Sequence, residues 1–164
     1  MKEYKIFTFE EVKDYIWLSR EAWSRVRSAP KEEYVQALRR EFTWPEGFLE
    51  QLKGKPLEEQ MRCYRIVETE HHSRTAYGEI TKENSHRFGC ALEDYRGLKA
   101  LVVEDGILLG ACIEPFSSHG YPWGVPAFPY HDICTYSASD NNGSGSNDRE
   151  DYAHLCCVMP DGAG

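Results

Sequence analysis

Leu98-Lys-Ala-Leu-Val-Val-Glu-Asp-Gly-Ile-Leu-Leu-Gly-Ala-Cys-Ile-Glu-Pro115 is the stretch whose reading decides the fold. Asp105-Gly106 separates two apolar runs. A two-residue type I′ turn needs positive φ at both central positions, and Asp-Gly supplies it at little cost. The stretch therefore predicts a β-hairpin. An unbroken register from that turn pairs Glu104 with Ile107, Val102 with Leu109, Ala100 with Ala111 and Leu98 with Ile113. Lys99, Leu101, Val103, Leu108, Gly110 and Cys112 then share the opposite face. Both faces are mostly apolar, whereas a ribbon with one wet face alternates. Each face needs a cover.

Working back toward the N-terminus, helical patterns dominate. Residues 1–7 suit a short strand or arm. Thr8 and Glu11 form a capping box, and Phe9, Val12, Ile16, Trp23 and Val26 follow at helical spacing. Trp17 falls off that stripe, among polar neighbours. Pro30 opens a second helix with Tyr34, Val35, Leu38 and Phe42 on one side. Arg39-Arg40, at its C-terminal end, complements the helix dipole. Thr43-Trp44-Pro45-Glu46 reads as another capping box, before a short third helix that Gly54 stops. Pro56 opens a fourth helix, expected over Leu57–His72. One helical face of the N-terminal half can bury one face of the hairpin.

The texture changes after Thr75. His86–Leu92 reads as a strand, followed by a turn at 93–97 and then the hairpin. Pro115–Pro129 holds four of the eight prolines along with Phe116, Tyr121, Trp123 and Phe128. Proline removes ladder donors, so an extended loop is expected there, lying over the second face of the hairpin. Two more strands, 130–138 and 152–159, flank a Gly/Ser/Asn-rich stretch at 139–151 that reads as a mobile tip. The expected fold is α+β: one domain over 1–164, with a helical half (1–74, about four short helices). This half packs on a largely antiparallel sheet of four to five strands (75–164).

Charge is distributed unevenly. The net charge is −8; residues 1–76 are balanced, and the whole excess lies in residues 77–164. A chain this acidic is repelled by phosphate backbones, so direct nucleic-acid binding is not expected. No apolar run is long enough to span a membrane, and the first residues lack the apolar segment of a signal peptide. A cytoplasmic protein is expected, with its six cysteines reduced.

The chemistry-bearing residues form no strong motif. Asp140, Asn142, Ser144, Gly145, Ser146, Asp148 and Asp151 match EF-hand spacing. Asn147 stands where an apolar residue is usual, Asp151 where a bidentate Glu is usual, and strands flank the loop. For zinc there is no CxxC. His131 and Cys134 are three apart and fall on opposite faces of a strand. His154 and Cys156 are two apart and share a face, where a Cys or His on a paired strand would have to complete a site. A hydrolase would draw on Cys134 or Cys156, a base from His119, His131 or His154, and Asp132, but no nucleophile elbow or oxyanion motif accompanies them. No metal or cofactor is assigned.

The remaining signal is surface. Glu104, Asp105, Asp140, Asp148, Glu150 and Asp151 gather at expected turns and strand ends, with Trp123 as an apolar anchor in the proline loop. The expected function is a non-enzymatic interaction protein. Its partner would be a larger basic, nucleic-acid-handling host protein, as for an anti-CRISPR or anti-restriction inhibitor from a phage or mobile element. The alternatives are a small Cys/His-dependent enzyme or metal-binding domain, and a ligand pocket roofed by the proline loop.

Overall fold

The computed structural model describes residues 3–16, 18, 20–72, 85–113, 124–129, 136–137 and 152–161; for 20, 69–72, 85–88, 136–137 and 152–156 it describes the backbone alone. In chain order the elements are β1 (Lys5–Phe7), α1 (Phe9–Val12), α2 (Arg20–Arg27), α3 (Tyr34–Arg40), α4 (Phe48–Leu52) and α5 (Leu57–Met61). There follow β2 (Tyr64–His72), β3 (Ser85–Ala91), β4 (Leu98–Glu104), β5 (Ile107–Ile113), β6 (Val125–Ala127), β7 (Tyr136–Ser137) and β8 (Tyr152–Pro160). The α+β class stands, but the strands divide between two sheets. One has the order β1-β4-β5-β6 and the other β3-β2-β8-β7.

The Asp105-Gly106 turn forms as expected, with φ of 53° and 77°. Glu104 pairs with Ile107 and Leu98 with Ile113, but the register between them is not the unbroken one. Val103 pairs with Leu108 and Val102 with Gly110, so Leu109 is an extra residue on β5. Ala100 pairs with Cys112, so Lys99 is a compensating extra residue on β4. A bulge of this kind reverses the side-chain alternation beyond it. Leu109 and Cys112 consequently join Ala100 and Val102 on one face, while Ala111 and Ile113 join Leu101 and Leu108 on the other.

The first face is covered by α1, α2 and α3, as the helical half suggested. Phe9, Val12, Ile16, Leu18, Ala22, Val26, Leu38 and Phe42 pack there with Phe128. The long first helix is interrupted, however. It ends in a 3-10 turn at Lys13–Tyr15, and Ile16 is extended. Ile16 and Leu18 are both buried. Two residues apart, they would lie about 200° apart around a helix; extended backbone places both inward.

The second face is covered by the second sheet together with α4 and α5, through Leu52, Met61, Tyr64, Ile66, Leu92 and Val158. This corrects two expectations. The fourth helix ends at Met61 and the chain becomes β2, the strand that pairs with both β3 and β8. Leu57, Met61 and Tyr64 fit helical spacing, but Tyr64 and Ile66 are buried and Arg65 exposed, the alternation of a strand. The proline loop is not the described cover of the second face. Val125–Ala127 is instead a strand on the edge of the first sheet, with Pro126 opposite Cys112. Edge position is where proline's missing donor does no harm. Leu101 and Leu108, an exposed patch had that face been open, are fully buried.

The Thr8 capping box is present: the Thr8 amide donates to Glu11 Oε1 at 2.9 Å and the Glu11 amide to Thr8 Oγ1 at 3.2 Å. The one expected at Thr43–Glu46 is not. Gly47, at φ 79°, caps α4 without a side-chain hydrogen bond. The positive φ explains glycine at that position. None of the described helices is long and apolar enough to cross a membrane.

Candidate functional site

The acidic end of the hairpin is held from beneath by a residue that composition does not single out. Gln60, near the end of α5, is 1% exposed and is the buried polar side chain of the described core. Its Nε2 donates to the carbonyls of Gly106 at 2.8 Å and Lys55 at 2.9 Å, and its Oε1 accepts from the Leu108 amide at 2.8 Å. The Tyr64 hydroxyl donates to the Leu108 carbonyl at 2.6 Å and accepts from Trp44 Nε1 at 3.1 Å. β6 pairs with β5 only over Ala111–Ile113. Gln60 and Tyr64 thus satisfy the strand edge that β6 does not reach, as buried backbone groups require. Burial holds the Tyr64 hydroxyl protonated, well above the usual phenol range.

Above this clamp, Glu104 and Asp105 differ in circumstance. Glu104 Oε1 lies 3.6 Å from Arg39 Nη1, and its side chain is 28% exposed. Arg39 therefore has a tertiary partner in addition to its place at the end of α3. Asp105 is exposed on the turn itself. Of the other expected interface residues, Trp123, Asp140, Asp148, Glu150 and Asp151 lie outside the described residues, as do Trp17 and the whole 140–151 loop with its EF-hand-like spacing.

The expected nucleophile Cys134, with His119, His131 and Asp132, also lies outside them. Among the described thiols, Cys112 is fully buried, and burial pushes it up to about 12. Cys90 is pushed up by burial first, with Glu68 and Asp94 adding and Arg65 opposing. Both shifts disfavour the thiolate, the form a nucleophile or metal ligand needs. In native protein, maleimide labelling at neutral pH should spare Cys112 and reach half-buried Cys63; mass spectrometry of the tryptic peptides reads this directly. The folded-state value for Cys112, about 12, lies above the ordinary 9.0. Its contribution to stability is therefore complete below pH 9.0 and lost as the pH rises toward about 12. The urea midpoint should fall over that alkaline range, less steeply in Cys112→Ala.

His154 and Cys156 both lie on β8, two residues apart and at positions of one face, as their spacing requires. Opposite them on β2 stand Glu70 and Glu68. Among the described side chains, no group of three or more His, Cys, Asp or Glu is placed to hold a metal ion.

Gln60, Tyr64, Trp44 and Arg39 are the site residues that sequence reading missed. Gln60 and Tyr64 sat inside an expected helix, where a glutamine signals nothing. Arg39 carries in the sequence only the signal of a helix-end charge. No family model, no curated protein and no solved structure matches the chain.

Proposed function

We propose that the protein is a non-enzymatic interaction module that engages a larger, basic, nucleic-acid-handling partner through its acidic hairpin end. An inhibitor of the anti-CRISPR or anti-restriction kind is the concrete form of this reading. The supporting observation is the Asp105 tip: an exposed carboxylate on a two-residue turn whose backbone is clamped by buried Gln60. A pre-organised charge loses little entropy on binding. The charge excess confined to residues 77–164 gives that part of the chain a net negative field that suits a basic partner. Glu104, paired with Arg39, contributes less of that field than Asp105.

The test is affinity for a partner isolated from the native host, identified, and then measured with purified components. Asp105→Lys should weaken binding about tenfold, or about 1.4 kcal/mol, with the thermal midpoint unchanged. The triple reversal of Asp148, Glu150 and Asp151 to Lys should weaken it further, and raised salt should weaken the wild type most. Affinity indifferent to both variants and to salt contradicts the proposal.

A further inference from the structure

The two edges of the first sheet are finished differently. At one edge β6 is buried over its whole length, and Gln60 and Tyr64 occupy the part of β5 that β6 does not reach. At the other edge stands β1, parallel to β4, and among the described residues no strand pairs with its outer side. Lys5 and Ile6 are exposed there. Ile6 is 48% exposed, whereas Leu101, its partner on β4, is fully buried. Directly paired residues share a face of a sheet. The apolar row through Leu101 therefore runs one strand past its cover and ends on an exposed isoleucine. An open strand edge is a template for pairing with another strand.

What this edge offers is complementary to itself. An antiparallel second copy of β1, related by a two-fold axis through Ile6, sets the two Ile6 residues opposite each other. The row then reads Leu101, Ile6, Ile6, Leu101 across the junction. The same register places each Lys5 opposite Phe7 of the other copy. A register centred on Lys5 would instead set two ammonium groups face to face, which is unfavourable. Residues 3–9 carry one glutamate and one lysine, so the segment has no net charge with which to repel its copy.

We propose that the protein forms a two-fold dimer by antiparallel pairing of β1 with β1 of a second copy, joining two four-stranded sheets into one of eight. The strand is three residues long, so the interface falls below the about 1,200–2,000 Å² of stable complexes and the dimer is reversible. β4 runs parallel to β1, so the two-fold points the two hairpin tips, each with its exposed Asp105, in opposite directions. The dimer does not depend on the partner proposed for that tip.

Sedimentation equilibrium of the full chain under reducing conditions, between about 1 µM and 1 mM, tests this. The average mass should rise with concentration from one chain toward two. Ile6→Lys should weaken association by about tenfold or more, because a lysine at the centre of an edge blocks pairing. Its thermal midpoint at the dilute end should be little changed, and Asp105→Lys should associate as the wild type does. Oxidation reads the register. Directly opposed strand residues lie about 4.5–5.5 Å apart between Cα atoms, within the span of a disulfide. Ile6→Cys should therefore give an interchain disulfide at a yield that neither the wild type nor Lys5→Cys approaches. A wild type that stays monomeric throughout overturns the proposal. So does association that folded Ile6→Lys retains in full, or crosslinking through Lys5→Cys as efficient as through Ile6→Cys.

Discussion

Gln60→Leu should destabilise the protein by about 3 kcal/mol while leaving the packed volume almost unchanged. The substitution strands three backbone groups: the Gly106 and Lys55 carbonyls and the Leu108 amide. A buried polar group left without a partner costs about 1–3 kcal/mol. The two carbonyls are only partly buried and recover some solvation, which holds the total near the lower end of the sum. Gln60→Glu separates hydrogen bonding from shape. It preserves the acceptor for Leu108 but replaces the amide donor that serves both carbonyls. It should cost at least as much as leucine, because it also buries a charge beside carbonyl oxygens. Chemical denaturation of the three proteins measures this. A leucine variant as stable as the wild type would remove Gln60 from its role.

The second large effect is expected at Gly110. A Cβ there would lie 2.5 Å from the Ala127 carbonyl oxygen and 2.6 Å from Phe128 Cδ1. The first obstacle is backbone of the neighbouring strand, so side-chain adjustment alone does not relieve it. Gly110→Ala should cost about 3 kcal/mol, the upper part of the range for overpacking. Phe128 fills the space that the missing side chain leaves. Its ring packs against Phe9 at 5.2 Å and Phe42 at 4.7 Å between centroids. Phe128→Ala alone should cost about 3–5 kcal/mol through the cavity it opens. The double variant should be less destabilised than the sum of the two, because one contact is shared. It should not return to wild type, since the Ala127 carbonyl remains in place. Additive costs would show that Gly110 is required only for its backbone.

The features that were legible in the sequence are those carried by a local chemical requirement. Asp105-Gly106 marked its turn because few residue pairs tolerate positive φ twice in succession. Thr8 and Glu11 marked a helix start through reciprocal hydrogen bonds. The strands at 85–91 and 152–160 were visible to within one residue at either end, from the turn residues that flank them. What was hidden depended on distant partners. Register inside the hairpin could not be read because both faces are apolar, so parity carries no mark of inside and outside. Beside the bulge at Leu109, the space a side chain at Gly110 would need is taken by Phe128, eighteen residues along the chain. Residues 57–72 fit a helix for one turn, and only pairing with β3 and β8 makes the remainder a strand.

The candidate site divides in the same way. Asp105 was visible because turns expose their central residues. That Arg39 meets Glu104 depends on how α3 crosses the sheet, which no local pattern encodes. The two-residue spacing of His154 and Cys156 suggested a shared face, and the partner strand then set Glu70, not a cysteine or histidine, opposite His154.

A hairpin enclosed on both faces and fixed at its tip by Gln60 is the frame for the proposed interaction. Native-state hydrogen exchange at the Leu108 amide measures that frame most directly, because this amide donates to Gln60 Oε1. In the wild type it should exchange only through global unfolding, with the same free energy as the amides at the centre of β4 and β5. In Gln60→Leu it should exchange faster than they do. Leu108 exchanging in the wild type as rapidly as an exposed turn would contradict the clamp and, with it, a pre-organised Asp105.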